Sequence, residues 1–280
     1  MRTAVLFFCI FVTVSPLWCQ PTGPSLDEPR PIDAVDSLWI EDLTWMEVRD
    51  AIRAGKTTVI VASGGIEQNG PYLVTGKHNV VLRGAAEAIA RKLGNALVAP
   101  VLKLVPEGDF DPPSGHMRYP GTIGLSEETF KAVLRDVASS LKVSGFQHIV
   151  FLGDSGGNQR GMKAVAEEMT AKWGGKPAVH FIAEFYDYPG LMKWLEEQGY
   201  PQVDQGIHDD FGITSIMASV DPESVRYPQR VPKGLDSING VKLTPIEKTQ
   251  EVGRAAIEWR ADATVAAILR AIAGGSASEP

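Results

Sequence analysis

The chain alternates short, unbroken apolar runs with longer stretches whose apolar positions recur at three and four, the pattern of buried strands between helices that each hide one face. The clearest short run is Thr57-Thr58-Val59-Ile60-Val61-Ala62-Ser63, β-branched throughout its middle and closed by Gly64-Gly65. A helix with Leu82, Ala85, Ile89 and Leu93 on one face comes next. A second run, Gln147-His148-Ile149-Val150-Phe151-Leu152, ends at Gly153-Asp154-Ser155-Gly156-Gly157-Asn158 and leads into a helix holding Met162, Val165, Ala166 and Met169. Residues Ala178 to Ile182 read as a further apolar strand, and Phe130, Val133, Leu134, Val137 and Leu141 as another helical face. Strands of this kind followed by helices predict an α/β domain.

Helix boundaries carry their own signals. Thr44-Trp45-Met46-Glu47 has the spacing of a capping box, with Leu43 and Val48 placed to staple it, so a helix is expected to run to about Ala54 and stop at Gly55. Thr244-Pro245-Ile246-Glu247 reads as a second capping box, with proline at the first helical position, where its missing N–H is harmless. The helix after it is expected to pack through Val252, Ala256, Trp259, Ala263, Ala266, Ile268 and Leu269.

The N-terminal segment is different in kind. Met1-Arg2 supplies a basic start and Ala4 to Val14 an apolar stretch too short to span a bilayer, which predicts an export signal over residues 1–19 and a secreted or periplasmic product. Cys19 follows Pro16-Leu17-Trp18 rather than small residues, which argues against a lipid anchor there. Residues 20–37 contain four prolines after Gln20 and read as an extended arm, leaving residues 38–275 as one folded domain. Both cysteines, Cys9 and Cys19, belong to the signal, so the mature chain has neither a disulfide nor a thiol nucleophile. Loss of Arg2 moves the formal charge from -7 to -8. With no basic cluster interleaved with aromatics, nucleic acid is excluded as a partner and a small molecule is expected instead.

Candidate chemistry sits where the two strands end. Glu67-Gln68-Asn69-Gly70-Pro71-Tyr72 and Lys77-His78-Asn79 place a carboxylate and an imidazole on an irregular loop, and the second strand delivers Asp154 and the glycines after it to the same sheet edge, where open α/β sheets bind ligands. His116 lies in the Pro/Gly-rich loop from Asp109 to Arg118, which reads as a lid bringing His116, Asp109 or Arg118 over a substrate. His148 and His180 sit in the apolar strands and read as structural.

Four segments in order resemble the signatures of the creatininase family of metal-dependent amidohydrolases, over roughly residues 39–226. They are Glu67 to His78, Tyr119-Pro120-Gly121-Thr122 with Ser126, Gly153 to Asn158, and His208 to Ser215. The resemblance implies a single domain with a mostly parallel sheet flanked by helices, and a homo-oligomer. Residue by residue it keeps Glu67 and His208. The family's two histidines of the first signature become Asn69 and Tyr72, its aspartate becomes His78, its next histidine falls on Ser155 beside Asp154, and its last glutamate falls on Phe211 just after Asp209 and Asp210.

An imidazole cannot bridge two ions as a carboxylate does, so the resemblance implies one ion rather than two. Its expected ligands are Glu67, His78, Asp154 and His208, with Asp209 or Asp210 as a fifth ligand or base. Such a set suits zinc, with manganese or iron as alternatives. Gly156, Gly157 and Asn158 are expected to face the substrate oxyanion, and Tyr72 and His116 to orient substrate or supply a proton. The implied reaction is hydrolysis of a small, possibly cyclic, amide. The competing reading is a non-catalytic binding protein on the same fold. A metal-free serine hydrolase is disfavoured by the absence of a Gly-x-Ser-x-Gly elbow.

Overall fold

A computed structural model describes Gly23 and residues 25–276. The expected export signal, with Cys9 and Cys19, lies outside the described residues. Every element named below belongs to the unit Ala34–Pro280; the residues before it form a separate unit.

The helices are α1 (Trp45–Arg53), α2 (Lys77–Leu93), α3 (Glu127–Ser144), α4 (Gly156–Lys172), α5 (Tyr188–Glu197), α6 (Phe211–Val220), the one-turn α7 (Tyr227–Arg230) and α8 (Ile246–Ser276). The strands are β1 (Thr58–Ser63), β2 (Ala96–Val98), β3 (His148–Gly153), β4 (Ala178–Phe181) and a small antiparallel pair, β5 (Ser237–Ile238) with β6 (Val241–Lys242). β1 to β4 form one parallel sheet in the order β2-β1-β3-β4. The fold is therefore α/β, a parallel sheet flanked by helices, as its alternating runs predict. All six residues of β1 are buried, because helices cover both faces of a parallel sheet.

This strand order reverses direction between β1 and β3, whose last residues, Ser63 and Gly153, are register partners. The loops leaving those two strands diverge toward opposite sides and open a crevice between them, the place where α/β sheets hold ligands. Fold and candidate chemistry meet at that edge.

Helix starts and stops follow local chemistry in two of three cases. Thr44 accepts from the Glu47 N–H while the Glu47 carboxylate accepts from the Thr44 N–H, the full capping box. α3 ends on Gly145 at φ 101°, a left-handed position. The second expected box does not form: the Thr244 hydroxyl donates to Asp236 Oδ2 at 2.7 Å, so tertiary structure has claimed the would-be cap.

The buried seam of α8 also differs from expectation. It runs through Thr249, Val252, Ala256, Ile257, Arg260, Ala261, Thr264, Ala267 and Ile268, whereas Leu269 is 55% exposed. A buried arginine and buried threonines displace the seam from the purely apolar stripe.

His148 and His180 stand side by side in β3 and β4, Nδ1 to Nε2 3.2 Å. Burial lowers both pKa values, and the His148 charge helps bring His180 down to about 4. Because the folded pKa values lie below the unfolded value near 6.5, the unfolded chain takes up protons first on acidification. The pair's contribution is full above about 6.5 and is lost as pH falls toward 4. A loss of about 1–2 kcal/mol is expected after discounting for partial exposure. It is measurable as a lower urea midpoint at pH 4.5 than at pH 7, with a smaller drop in His180→Leu; an equal drop in that variant would rule the pair out as the source.

Candidate active site

The loop after β1 is built around Asn69, whose side chain is nearly inaccessible. Its amide donates to the carbonyls of Glu67 at 2.9 Å and Val74 at 3.1 Å, folding the loop on itself. The Glu67 N–H donates to the Thr75 carbonyl at 3.0 Å. Thus Asn69, where the resemblance places a ligand, has become a brace for Glu67.

Glu67 is 2% exposed and is the hub of the site. Its Oε1 lies 2.8 Å from His78 Nε2, 3.1 Å from His208 Nε2 and 3.5 Å from Lys77 Nζ, and its Oε2 lies 3.4 Å from His116 Nε2. His116 reaches this point on the loop ahead of α3, which is ordered by its own bonds: Ser114 Oγ donates to Asp109 Oδ2 at 2.7 Å and the His116 N–H to the Glu107 carbonyl at 3.0 Å. Gly108, at φ 133°, makes the return possible, since any side chain there would meet the Ser114 carbonyl.

The four ligands expected around one point are joined in series instead. His78 spends both nitrogens on carboxylates, Nε2 on Glu67 and Nδ1 on Asp154 Oδ2 at 2.9 Å. Asp154 is fully buried and gives its other oxygen to Arg260 Nη2 at 2.8 Å. It lies behind His78, away from the cavity. Glu67, His116 and His208 form the compact set: one ligand atom from each, all within 4.8 Å of one another, with the two imidazole centroids 4.7 Å apart.

This set borders a cavity of about 810 Å³ whose walls include Lys77, Glu107, Asp109, Tyr186, Tyr188, Asp209 and Asp210. Gly156 and Gly157 line it too, but their N–H groups are engaged, by the Tyr186 hydroxyl and by Ser155 Oγ. Asn158 does not reach it: the side chain is buried and donates to the Ser63 and Gly64 carbonyls, tying α4 to the end of β1. Tyr72 is also outside, stacked under the Arg230 guanidinium at 4.2 Å. Asp210 lines the wall while capping α6 through the Ile213 N–H at 2.8 Å. Asp209 accepts from Thr214 Oγ1 at 3.0 Å.

Burial is the largest influence on every carboxylate here, and neighbours overturn it at Glu67 and Asp154 but not at Glu107 or Asp209. For Glu67 it would raise the pKa, but hydrogen bonds from His208 and His78 and the charges of His78 and Lys77 outweigh it and hold the group well below the carboxylate range. Asp154 is likewise held low by Arg260 and His78 against its burial. His78, though desolvated, is held above its ordinary value by its two carboxylates. Glu107 is pushed up to about 9 by burial and by its hydrogen bond and repulsion with Glu67, and Asp209 to about 7 by burial with the Asp210 charge adding. Strongly perturbed groups gathered in one cleft mark a functional site.

One carboxylate with two imidazoles, beside open space, fits a single divalent ion of the zinc, manganese or iron class. The other positions where ligands were expected, Asn69, Ser155, His78 and Asp154, are consumed by the contacts above, so the compact cluster is that of one ion. Lys77, Glu107, Tyr186 and Arg260 were not singled out by sequence. Only Lys77, next to His78, and Glu107, at the head of the Pro/Gly loop, carried a positional hint.

The α/β fold carries a candidate metal cluster beside a cavity, and comparison places the chain in a family. The creatinine amidohydrolase (creatininase) family model matches residues 41–268, and the chain belongs to that family. It is 24% identical over 230 residues to a 3-dehydro-scyllo-inosose hydrolase of Thermotoga maritima, covering 79% of this chain and 71% of that one. To a creatinine amidohydrolase of Pseudomonas putida it is 23% identical over 197 residues, 68% and 74% of the two chains. Both relatives are hydrolases by name. A crystal structure of creatinine amidohydrolase superposes with a TM-score of 0.58 at 20% identity, covering 88% of this chain and all of that one. A mutant creatininase of Zn-Zn type does so at 0.62 and 19% identity, 84% and 98% covered. At these identities the structures establish the fold.

Proposed function

We propose that this protein is a single-ion hydrolase of a small, possibly cyclic, amide, with Glu67, His116 and His208 holding the ion. The carrying observation is the convergence of those three ligand atoms on the wall of a large cavity. A bound divalent ion supplies Lewis acidity and makes water nucleophilic near neutral pH. Around it, the buried Lys77 ammonium presents positive charge to the cavity where an amide oxygen gains negative charge. The Tyr186 hydroxyl, accepting from the Gly156 N–H, is a polarised donor for the same oxygen or for the leaving nitrogen. Asp210, fixed by its capping bond, presents a carboxyl to the same cavity. His116 thus moves from the proton donor expected from sequence to a ligand.

Support for the competing reading, a binding protein without turnover, comes from Glu67 Oε1, which already faces His78, His208 and Lys77. Metal analysis and a panel of lactams, formamides and cyclic ureas separate the two. About one equivalent of zinc, manganese or iron and turnover abolished by a chelator are expected. Amide hydrolysis surviving complete metal removal would sink the mechanism, and ligand binding with no turnover by the loaded protein would favour the binding reading.

The proposal includes export through residues 1–19, a folded domain over residues 38–275 and a homo-oligomeric assembly. Among the described residues no helix is long and apolar enough to cross a membrane.

A further inference from the structure

We infer that Arg260, on α8, is a positioning residue for Glu67, acting through Asp154 and His78; this rests on the reading of Glu67 as an ion ligand. The four groups form one unbroken buried chain. Arg260 Nη2 lies 2.8 Å from Asp154 Oδ1, Asp154 Oδ2 lies 2.9 Å from His78 Nδ1, and His78 Nε2 lies 2.8 Å from Glu67 Oε1. Each side chain is at most 5% exposed, so water cannot substitute for a missing member.

Every link restricts the next. Arg260 is fixed where it leaves α8, since the same Nη2 donates to the Phe185 carbonyl at 2.8 Å and the guanidinium lies 4.3 Å over the Phe185 ring. Its Nη1 has no partner among the described residues, and a second ring, Tyr188, lies 5.7 Å from the guanidinium, so Nη2 and the two rings set the plane. Asp154, with an oxygen on each side, cannot turn without breaking a charged contact. His78 is consequently held at both nitrogens, and its contact with Glu67 Oε1 is shorter than those of His208 and Lys77. The carboxylate that would bind the ion is thereby aimed from α8, an element that does not line the cavity. Outer partners of this kind orient ligands and typically change metal affinity by about 10–100-fold.

A purely structural ion pair makes a different prediction, and the double variant Asp154→Leu with Arg260→Met distinguishes the two. It replaces both charges by apolar groups of similar size, a change that buried pairs often tolerate. A melting temperature close to that of the wild type, zinc affinity weaker by about 10–100-fold, and a His78–Glu67 contact lengthened in the metal-free crystal structure are expected. Unchanged zinc affinity together with an intact contact would overturn the inference. If the wild type binds no zinc, the ion reading fails by itself, and the metal-free His78–Glu67 distance still decides whether the chain aims Glu67. Should the double variant not fold, Arg260→Lys gives the same reading: weaker zinc binding at unchanged melting temperature supports positioning, and unchanged binding refutes it.

Discussion

Glu67→Gln should weaken zinc binding and lower turnover each by more than about a hundred-fold, beyond the loss typical of a residue that only supports a ligand. The amide is nearly isosteric, so the effect would come from charge. Glu67 is the one anion that His116 and His208 share, and among the described residues no other carboxylate joins their cluster. Glu107 stands beside Glu67 but lies outside that three-residue cluster. The change also strands Lys77, whose ammonium, 6% exposed, faces Glu67 Oε1 at 3.5 Å. Zinc titration of purified variant and wild type measures the first effect, and amide hydrolysis at saturating zinc the second. Zinc bound by Glu67→Gln within about threefold of wild type would remove Glu67 from the ligand set, since one lost charge–ion contact exceeds a factor of ten, about 1.4 kcal/mol.

The variant also separates the two histidines. In His116→Ala the carboxylate and His208 remain, whereas Glu67→Gln leaves two imidazoles with no anion between them. The order of zinc affinities should therefore be wild type, then His116→Ala, then Glu67→Gln.

The fold was legible because its strands are buried on both faces: β1 and β3 are unbroken apolar runs, and glycines mark where each gives way to a loop. Glu67 was legible as chemistry because it stands on an irregular loop at a sheet edge, and His208 through the resemblance of its segment to a family signature. What sequence could not convey was connectivity among polar groups. His78 and Asp154 are ligand-type residues in ligand-type places, and only their distances reveal that each has spent its lone pairs or N–H groups on the other and on Glu67 and Arg260. Asn158 illustrates the same limit, because an amide at a helix start looks identical whether it faces substrate or, as here, two buried carbonyls. Tyr72 was drawn away by Arg230, far from it in sequence but stacked on its ring at 4.2 Å. Arg260 escaped notice for the opposite reason. A charge interrupting a helical stripe reads as its edge, and the seam of α8 instead passes directly through it.

That buried arginine carries the second large expectation: Arg260→Met alone should destabilise the protein by about 3–5 kcal/mol, the cost of leaving a buried carboxylate without its partner. Asp154 is fully buried and retains only the His78 contact in the variant. For a domain of this size the loss corresponds to a melting temperature lower by about 10 °C. The sign of its pH dependence follows from the shift. Asp154 is held below its ordinary pKa in the native protein, so its contribution is full above the unfolded value and disappears as pH falls through the folded one. The gap between wild type and Arg260→Met should therefore be widest near neutral pH and should narrow on acidification, because folded Asp154, no longer held down by Arg260, takes up its proton at a higher pH in the variant than in the wild type, while the two unfolded chains contribute equally. Urea unfolding of both at pH 7 and at pH 4 measures it. A gap under about 1 kcal/mol at pH 7 would mean that water or a rearranged side chain satisfies Asp154, and the buried chain from α8 to Glu67 would lose its energetic basis.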